Sequence, residues 1–133
     1  RTRNNSNASC MKPRFALVAL IAAMLAVTLQ AESSITTEQA ARKLKAGAVL
    51  VDVRTTKEFA AKHLPGATNI PLAAIKMAIT NVAPSKATPL LLHCESGGRS
   101  AAAEKELHAL GYTNCFNLGS YAKAEDVVKP RNK

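Results

Sequence analysis

A cysteine, two glycines and an arginine stand within six residues of one another in Cys94-Glu95-Ser96-Gly97-Gly98-Arg99-Ser100. These residue types can do chemistry together. The apolar run Leu90-Leu91-Leu92-His93 leads into the segment, and helix-forming residues follow it as far as Gly111. A thiol attacks as its thiolate, and a positive field favours that form. Gly97 and Gly98 let the backbone turn tightly and point its N–H groups inward. A ring of such groups makes an anion-binding nest. A helix starting near Arg99 or Ser100 adds its positive end. Cys94 is therefore expected to be an activated nucleophile that needs no dedicated base. A group carried on its sulfur would be held by the amides of Glu95, Ser96, Gly97, Gly98 and Arg99.

The elements that must position this loop can be read from pattern. Residues 34–47 form a helix capped by Thr36, with Gln39 completing a capping box and Ile35 as staple. Residues 48–54, Ala-Val-Leu-Val-Asp-Val-Arg, are a buried strand. Thr55 or Thr56 caps a second helix, which breaks at His63-Leu64-Pro65-Gly66. Residues 67–72 read as an edge strand, because Pro71 cannot donate to a ladder. A helix over 73–80 and a linker over 83–89 follow. Residues 89–94 are a second buried strand, Ser100–Leu110 a helix, 113–119 a strand and Ala122–Val128 a last helix. Strands alternating with helices, the two central strands apolar throughout, define an α/β fold. Its core is a central parallel sheet of about four to five strands flanked by helices on both faces. Ligand chemistry in such sheets gathers at the carboxyl ends of the strands, where Cys94 lies. His93 precedes it on the strand and points to the opposite face.

The chain has 133 residues and a formal charge of +9. Arg1, Arg3, Lys12 and Arg14 precede residue 32 and no acidic residue does, so fourteen basic and nine acidic residues follow, a net +5. The basic residues are scattered and aromatics are few, which argues against nucleic acid as a partner. Met11 opens a secretory signal layout, with Lys12 and Arg14 before the apolar stretch Phe15 to Leu29 and a small residue at Ala31. That stretch is shorter than the roughly 20 residues a spanning helix needs. Residues 1–10 are read as a disordered polar extension, 11–31 as a signal peptide cleaved after Ala31, and 32–133 as one exported domain with a short basic tail. Export to a periplasm is the expectation, with membrane contact only through the uncleaved signal. Cys94 and Cys115 remain in that domain, too few for a disulfide scaffold. Cys115 is expected to be a small core residue.

The loop resembles the C-x-x-G-x-R-S active-site loop of rhodanese-like sulfurtransferases. Asp52-Val53-Arg54, Glu58-Phe59 and His63-Leu64-Pro65-Gly66-Ala67-Thr68-Asn69-Ile70-Pro71 are similar to further family motifs, in the expected order from about Ile35 to Leu118. Signal and length most resemble the small periplasmic sulfurtransferases of the phage-shock type. The resemblance implies that Cys94 takes the outer sulfur of a small anionic donor such as thiosulfate. It then passes that sulfur from a persulfide to cyanide or a thiol, in a monomer without metal or organic cofactor. It also implies scaffold hydrogen bonds for Asp52 and a structural His63. Arg54 either pairs with a carboxylate or sits at the pocket mouth. Arg99 either braces the loop or attracts the donor. Ser100 lies beside the site. Phosphatases of similar layout use a loop one residue longer and an acid catalyst, and neither is found here. The chain departs from the family pattern at Glu95, whose charge opposes a dianionic donor and raises the thiol pKa. It departs again at Gly119-Ser120-Tyr121. The alternative function is a module that delivers persulfide to, or senses oxidants for, a partner protein without turnover.

Overall fold

A computed structural model describes residues 35–129. The signal segment expected at 11–31, the extension at 1–10 and the tail residues 130–133 lie outside the described residues. Helix α1 spans Thr37–Lys45. Thr36 accepts from the Gln39 N–H at 3.2 Å and the Gln39 side chain accepts from the Thr36 N–H at 3.0 Å, so the capping box forms as read. Strand β1 is Val49–Asp52 and α2 is Thr56–Ala61, capped by Thr55 with Glu58 as its reciprocal partner. Then come β2 (Thr68–Asn69), a 3-10 turn (Leu72–Ala74), α3 (Ile75–Val82) and β3 (Leu90–His93). The chain continues with α4 (Gly98–Ala109), β4 (Cys115–Gly119) and α5 (Tyr121–Val128).

All strand pairs are parallel, in the order β2-β1-β3-β4. The two-residue β2 takes an edge, as Pro71 requires. Each residue of β3 is buried, because helices cover both faces of its central position. Alternation sorts the strand side chains. Val51, Leu90, Leu92 and Cys94 pack with Ile75 and Ile79 of α3 and Ala103 and Leu107 of α4. Leu50, Leu91 and Leu118 pack on the other face with Ala40 of α1 and Ala124 and Val127 of α5. No helix among the described residues is long and apolar enough to cross a membrane.

Two boundaries differ from pattern in ways that matter for the site. The helix expected from Ser100 begins at Gly98, so Arg99 and Ser100 lie in its first turn. The β3–β4 register slips between Leu92 and His93, which sets His93 opposite Gly119. That slip brings the end of β4 against the loop after β3.

Candidate active site

Strands β1 and β3 end side by side, with Asp52 paired to His93. Their next residues, Val53-Arg54 and Cys94, therefore emerge at one edge of the sheet. The Cys94 backbone is pinned by its N–H to the Gly119 carbonyl at 3.2 Å. Its side chain is fully buried on the α3/α4 face.

Beyond the cysteine, the chain reverses through Gly97 at φ +104. That left-handed conformation suits glycine. A Cβ built there would lie 3.3 Å from the Gly119 Cα, so the turn also depends on a close backbone approach. Ser96 bridges to Ser120 and the Tyr121 N–H donates to the Glu95 carbonyl at 3.1 Å. The departure at Gly119-Ser120-Tyr121 thus forms the wall on which the loop rests.

The turn aims an N–H at the sulfur. The Gly97 N–H donates to Cys94 Sγ at 3.0 Å; the Ser100 hydroxyl lies 3.6 Å from it and shares its one proton with the carbonyls of Gly97 at 3.0 Å and Gly119 at 3.3 Å. Burial is the largest single influence on this thiol and opposes ionisation. The Ser100 hydroxyl and the N–H groups of Ser100, Gly97 and Ser96 together outweigh it, and the Cys94 pKa lies below its ordinary value. Glu95 does not prevent that net shift. Its side chain is 64% exposed, and its carboxylate lies 3.5 Å from Arg54 Nη1.

The two arginines have different partners. Arg54 is buried. Its Nε donates to both Asp52 oxygens at 3.0 Å, and its Nη2 to Asp52 Oδ2 and the Lys62 carbonyl at 2.7 Å. The guanidinium also lies 4.6 Å from the centre of the Tyr121 ring. Of the two possibilities for Arg54, carboxylate pairing holds, and Asp52 is its scaffold partner. Arg99 forks onto Glu58 through Nη1 at 2.7 Å and Nη2 at 2.8 Å. Its side chain braces the loop against α2. The Arg99 fork holds the Glu58 carboxyl well below the usual carboxylate range.

His93 points to the α5 face, as strand alternation requires, and meets the Tyr121 ring edge-on at 5.7 Å. It lies 3.8 Å from Asp52 Oδ2, and neither ring nitrogen has a hydrogen-bond partner among the described residues. Burial lowers its pKa, against the opposing pull of Asp52. His63 Nδ1 donates to the Phe59 carbonyl at 2.9 Å and its ring stacks on the Phe59 ring, a structural placement.

Cys115 is buried, with its thiol pushed up to about 12 by burial and by Glu104. It stands opposite Leu90, four residues before Cys94. Four strand residues span about 13 Å, beyond the roughly 7 Å a disulfide tolerates. Sequence reasoning missed Glu58 as the anchor of Arg99. It also missed Asn69, whose side-chain amide donates to the Asp52 and Arg54 carbonyls at 2.9 and 3.0 Å. Both residues stand inside the motifs, but nothing local in the sequence names a partner 41 positions away, as for Glu58, or 17 and 15 away, as for Asn69. Among the described residues no group of His, Cys, Asp and Glu could hold a metal ion.

The family described as Rhodanese-like domain matches residues 36–125. The chain belongs to the rhodanese-like family. Thiosulfate sulfurtransferase PspE of Escherichia coli (strain K12) is 32% identical over 83 residues, 62% of this chain and 77% of that protein. A structure described as rhodanese with anions from E. coli is 32% identical, with a TM-score of 0.55 over 57% of this chain and 89% of that one. The human single-domain sulfurtransferase TSTD1 is 27% identical, with a TM-score of 0.58 over 68% and 93%. The α/β fold with its parallel four-stranded sheet is thus a rhodanese fold, and the Cys94 loop is its strand-to-helix loop.

Proposed function

We propose that this rhodanese-like chain is a sulfurtransferase that carries sulfane sulfur as a persulfide on Cys94. The observation that carries the reading is the Gly97 N–H at 3.0 Å from a Cys94 sulfur whose pKa is lowered. A donor set built to hold a thiolate also holds the charge of a persulfide. The names of the relatives support sulfur transfer, with thiosulfate as the first donor to test.

The steps balance without an added oxidant. The Cys94 thiolate attacks the outer sulfur of thiosulfate, an Sγ–S bond forms, and the donor S–S bond breaks with its electron pair leaving on sulfite. Cyanide or a thiolate then attacks the outer sulfur of the persulfide and takes it, and the Cys94 thiolate leaves. The Gly97 N–H and the Ser100 hydroxyl hold charge on Sγ in both steps. Glu95 and Ser96 form the mouth of the loop, Gly98 starts α4, and Arg99 fixes the frame through Glu58. The working form is a monomer, exported to the periplasm after cleavage behind Ala31.

The test is sulfite release from thiosulfate in the presence of cyanide. Wild-type protein releases sulfite, and Cys94→Ser, with unchanged circular dichroism, releases none. Equal release by both proteins would refute the role of Cys94. A persulfide that forms stoichiometrically but passes to no small acceptor would replace turnover with delivery to a partner protein.

A further inference from the structure

Both arginines beside the cysteine are paired with carboxylates. Arg54 is 5% exposed and has Asp52 on one side, with Glu95 3.5 Å away on the other. Arg99 lies against Glu58 through two hydrogen bonds. Two cations thus stand among three carboxylates around a sulfur that is itself an anion when it reacts. This holds although the chain as a whole carries +9. The most exposed of these carboxylates is Glu95. It follows the nucleophile directly, its side chain is 64% exposed, and the Tyr121 N–H fixes its backbone carbonyl.

We propose that Glu95 selects sulfur donors by charge, favouring the persulfide of an aminothiol, with an ammonium group two carbons from the sulfur, over dianionic thiosulfate. This rests on the persulfide-carrier reading of Cys94. Thiosulfate brings two negative charges toward a site whose arginines are already paired, and Glu95 repels them. An ammonium on a short carbon chain meets the same carboxylate with the opposite sign. The step balances: the Cys94 thiolate forms the Sγ–S bond with the outer sulfur of R–S–S–H, and the donor S–S bond breaks. The aminothiol leaves as its thiolate, and the transferred sulfur keeps its proton.

The experiment measures the second-order rate of sulfur loading on Cys94 by intact-mass spectrometry, at low ionic strength, for three donors. Thiosulfate is a dianion, 2-hydroxyethyl persulfide is neutral in its reacting form, and 2-aminoethyl persulfide carries an ammonium. The hydroxyl and amino compounds have the same shape, so their ratio isolates charge. In Glu95→Gln the preference for aminoethyl over hydroxyethyl persulfide narrows about three- to tenfold and loading from thiosulfate rises by a similar factor, the size of one partly screened charge contact. Glu95→Asp keeps the wild-type order, and salt near 1 M collapses the differences. If Glu95→Gln changes all three donors by one common factor, or none, the charge selection is overturned while the sulfur carrier stands. If no donor loads sulfur on Cys94, the carrier reading falls and the selection falls with it.

Discussion

Arg99 donates to both oxygens of Glu58, at 2.7 and 2.8 Å, and so ties the first turn of α4 to the start of α2. The same Glu58 accepts from the Thr55 N–H at 2.9 Å. One carboxylate therefore caps a helix and balances a cation near the nucleophile. In Glu58→Gln the cap is retained in part, but the charge opposite Arg99 is gone. The less balanced guanidinium favours the Cys94 thiolate, so the midpoint pH of iodoacetamide alkylation falls below the wild-type value. A midpoint that rises would show that Glu58 acts through loop geometry rather than charge.

Ser100 acts in the opposite sense. Its hydroxyl and N–H are the strongest influences favouring ionisation of Cys94. Ser100→Ala removes the hydroxyl, which moves the alkylation midpoint upward. Sulfite release at pH 7 falls about tenfold, the equivalent of one hydrogen bond to a charged group. The sulfur is buried, so rates are compared with a small reagent and each profile is normalised to its own plateau.

Gly97→Ala tests the turn itself. A non-glycine residue at φ +104 is strained, and its Cβ would meet the Gly119 Cα at 3.3 Å. The variant should lose about 1–3 kcal/mol of stability in a urea titration and most of its sulfur transfer. Gly98→Ala is the control. That position opens a helix and a Cβ there would meet nothing within 4 Å. Equal damage at both positions would show that the loop is merely intolerant of change.

Buried His93 makes stability depend on pH. Its folded pKa is lowered, first by burial, so the unfolded chain takes up a proton at a higher pH than the folded one. Above the unfolded value of about 6.5 both states are neutral and His93 adds no slope. As pH falls below that value, the unfolded state is favoured and stability drops toward the folded pKa. His93→Gln, whatever its absolute stability, should flatten the urea midpoint between about pH 6.5 and 5. An unchanged slope would assign the acid sensitivity to other groups.

Much of this frame is legible in the sequence alone. The apolar runs within residues 48–54 and 89–94 marked the two central strands because burial on both faces leaves no polar alternation. Thr36 with Gln39 marked a helix start because capping is a contact over three residues, while the second start stayed open between Thr55 and Thr56 until Glu58 closed the box on Thr55. A carboxylate partner for Arg54 was one of two open readings, and the pattern did not name Asp52 as that partner. The start of α4 was read two residues late because glycine is a poor helix former and masks a first turn that its neighbours complete. The Arg99–Glu58 fork, the Asn69 amide and the approach of Gly97 to Gly119 were not legible. They join segments separated in the chain, and no local pattern encodes such contacts or the β3–β4 register slip that sets Gly119 opposite His93.

The central claim is that Cys94 carries sulfur. Its most direct test is intact-mass spectrometry of the protein before and after thiosulfate, beside Cys94→Ser. The persulfide mechanism predicts a gain of one sulfur atom on the wild-type chain, reversed by cyanide and absent from the variant. A gain of the same mass in Cys94→Ser, or none in the wild type with thiosulfate or either persulfide, would contradict it.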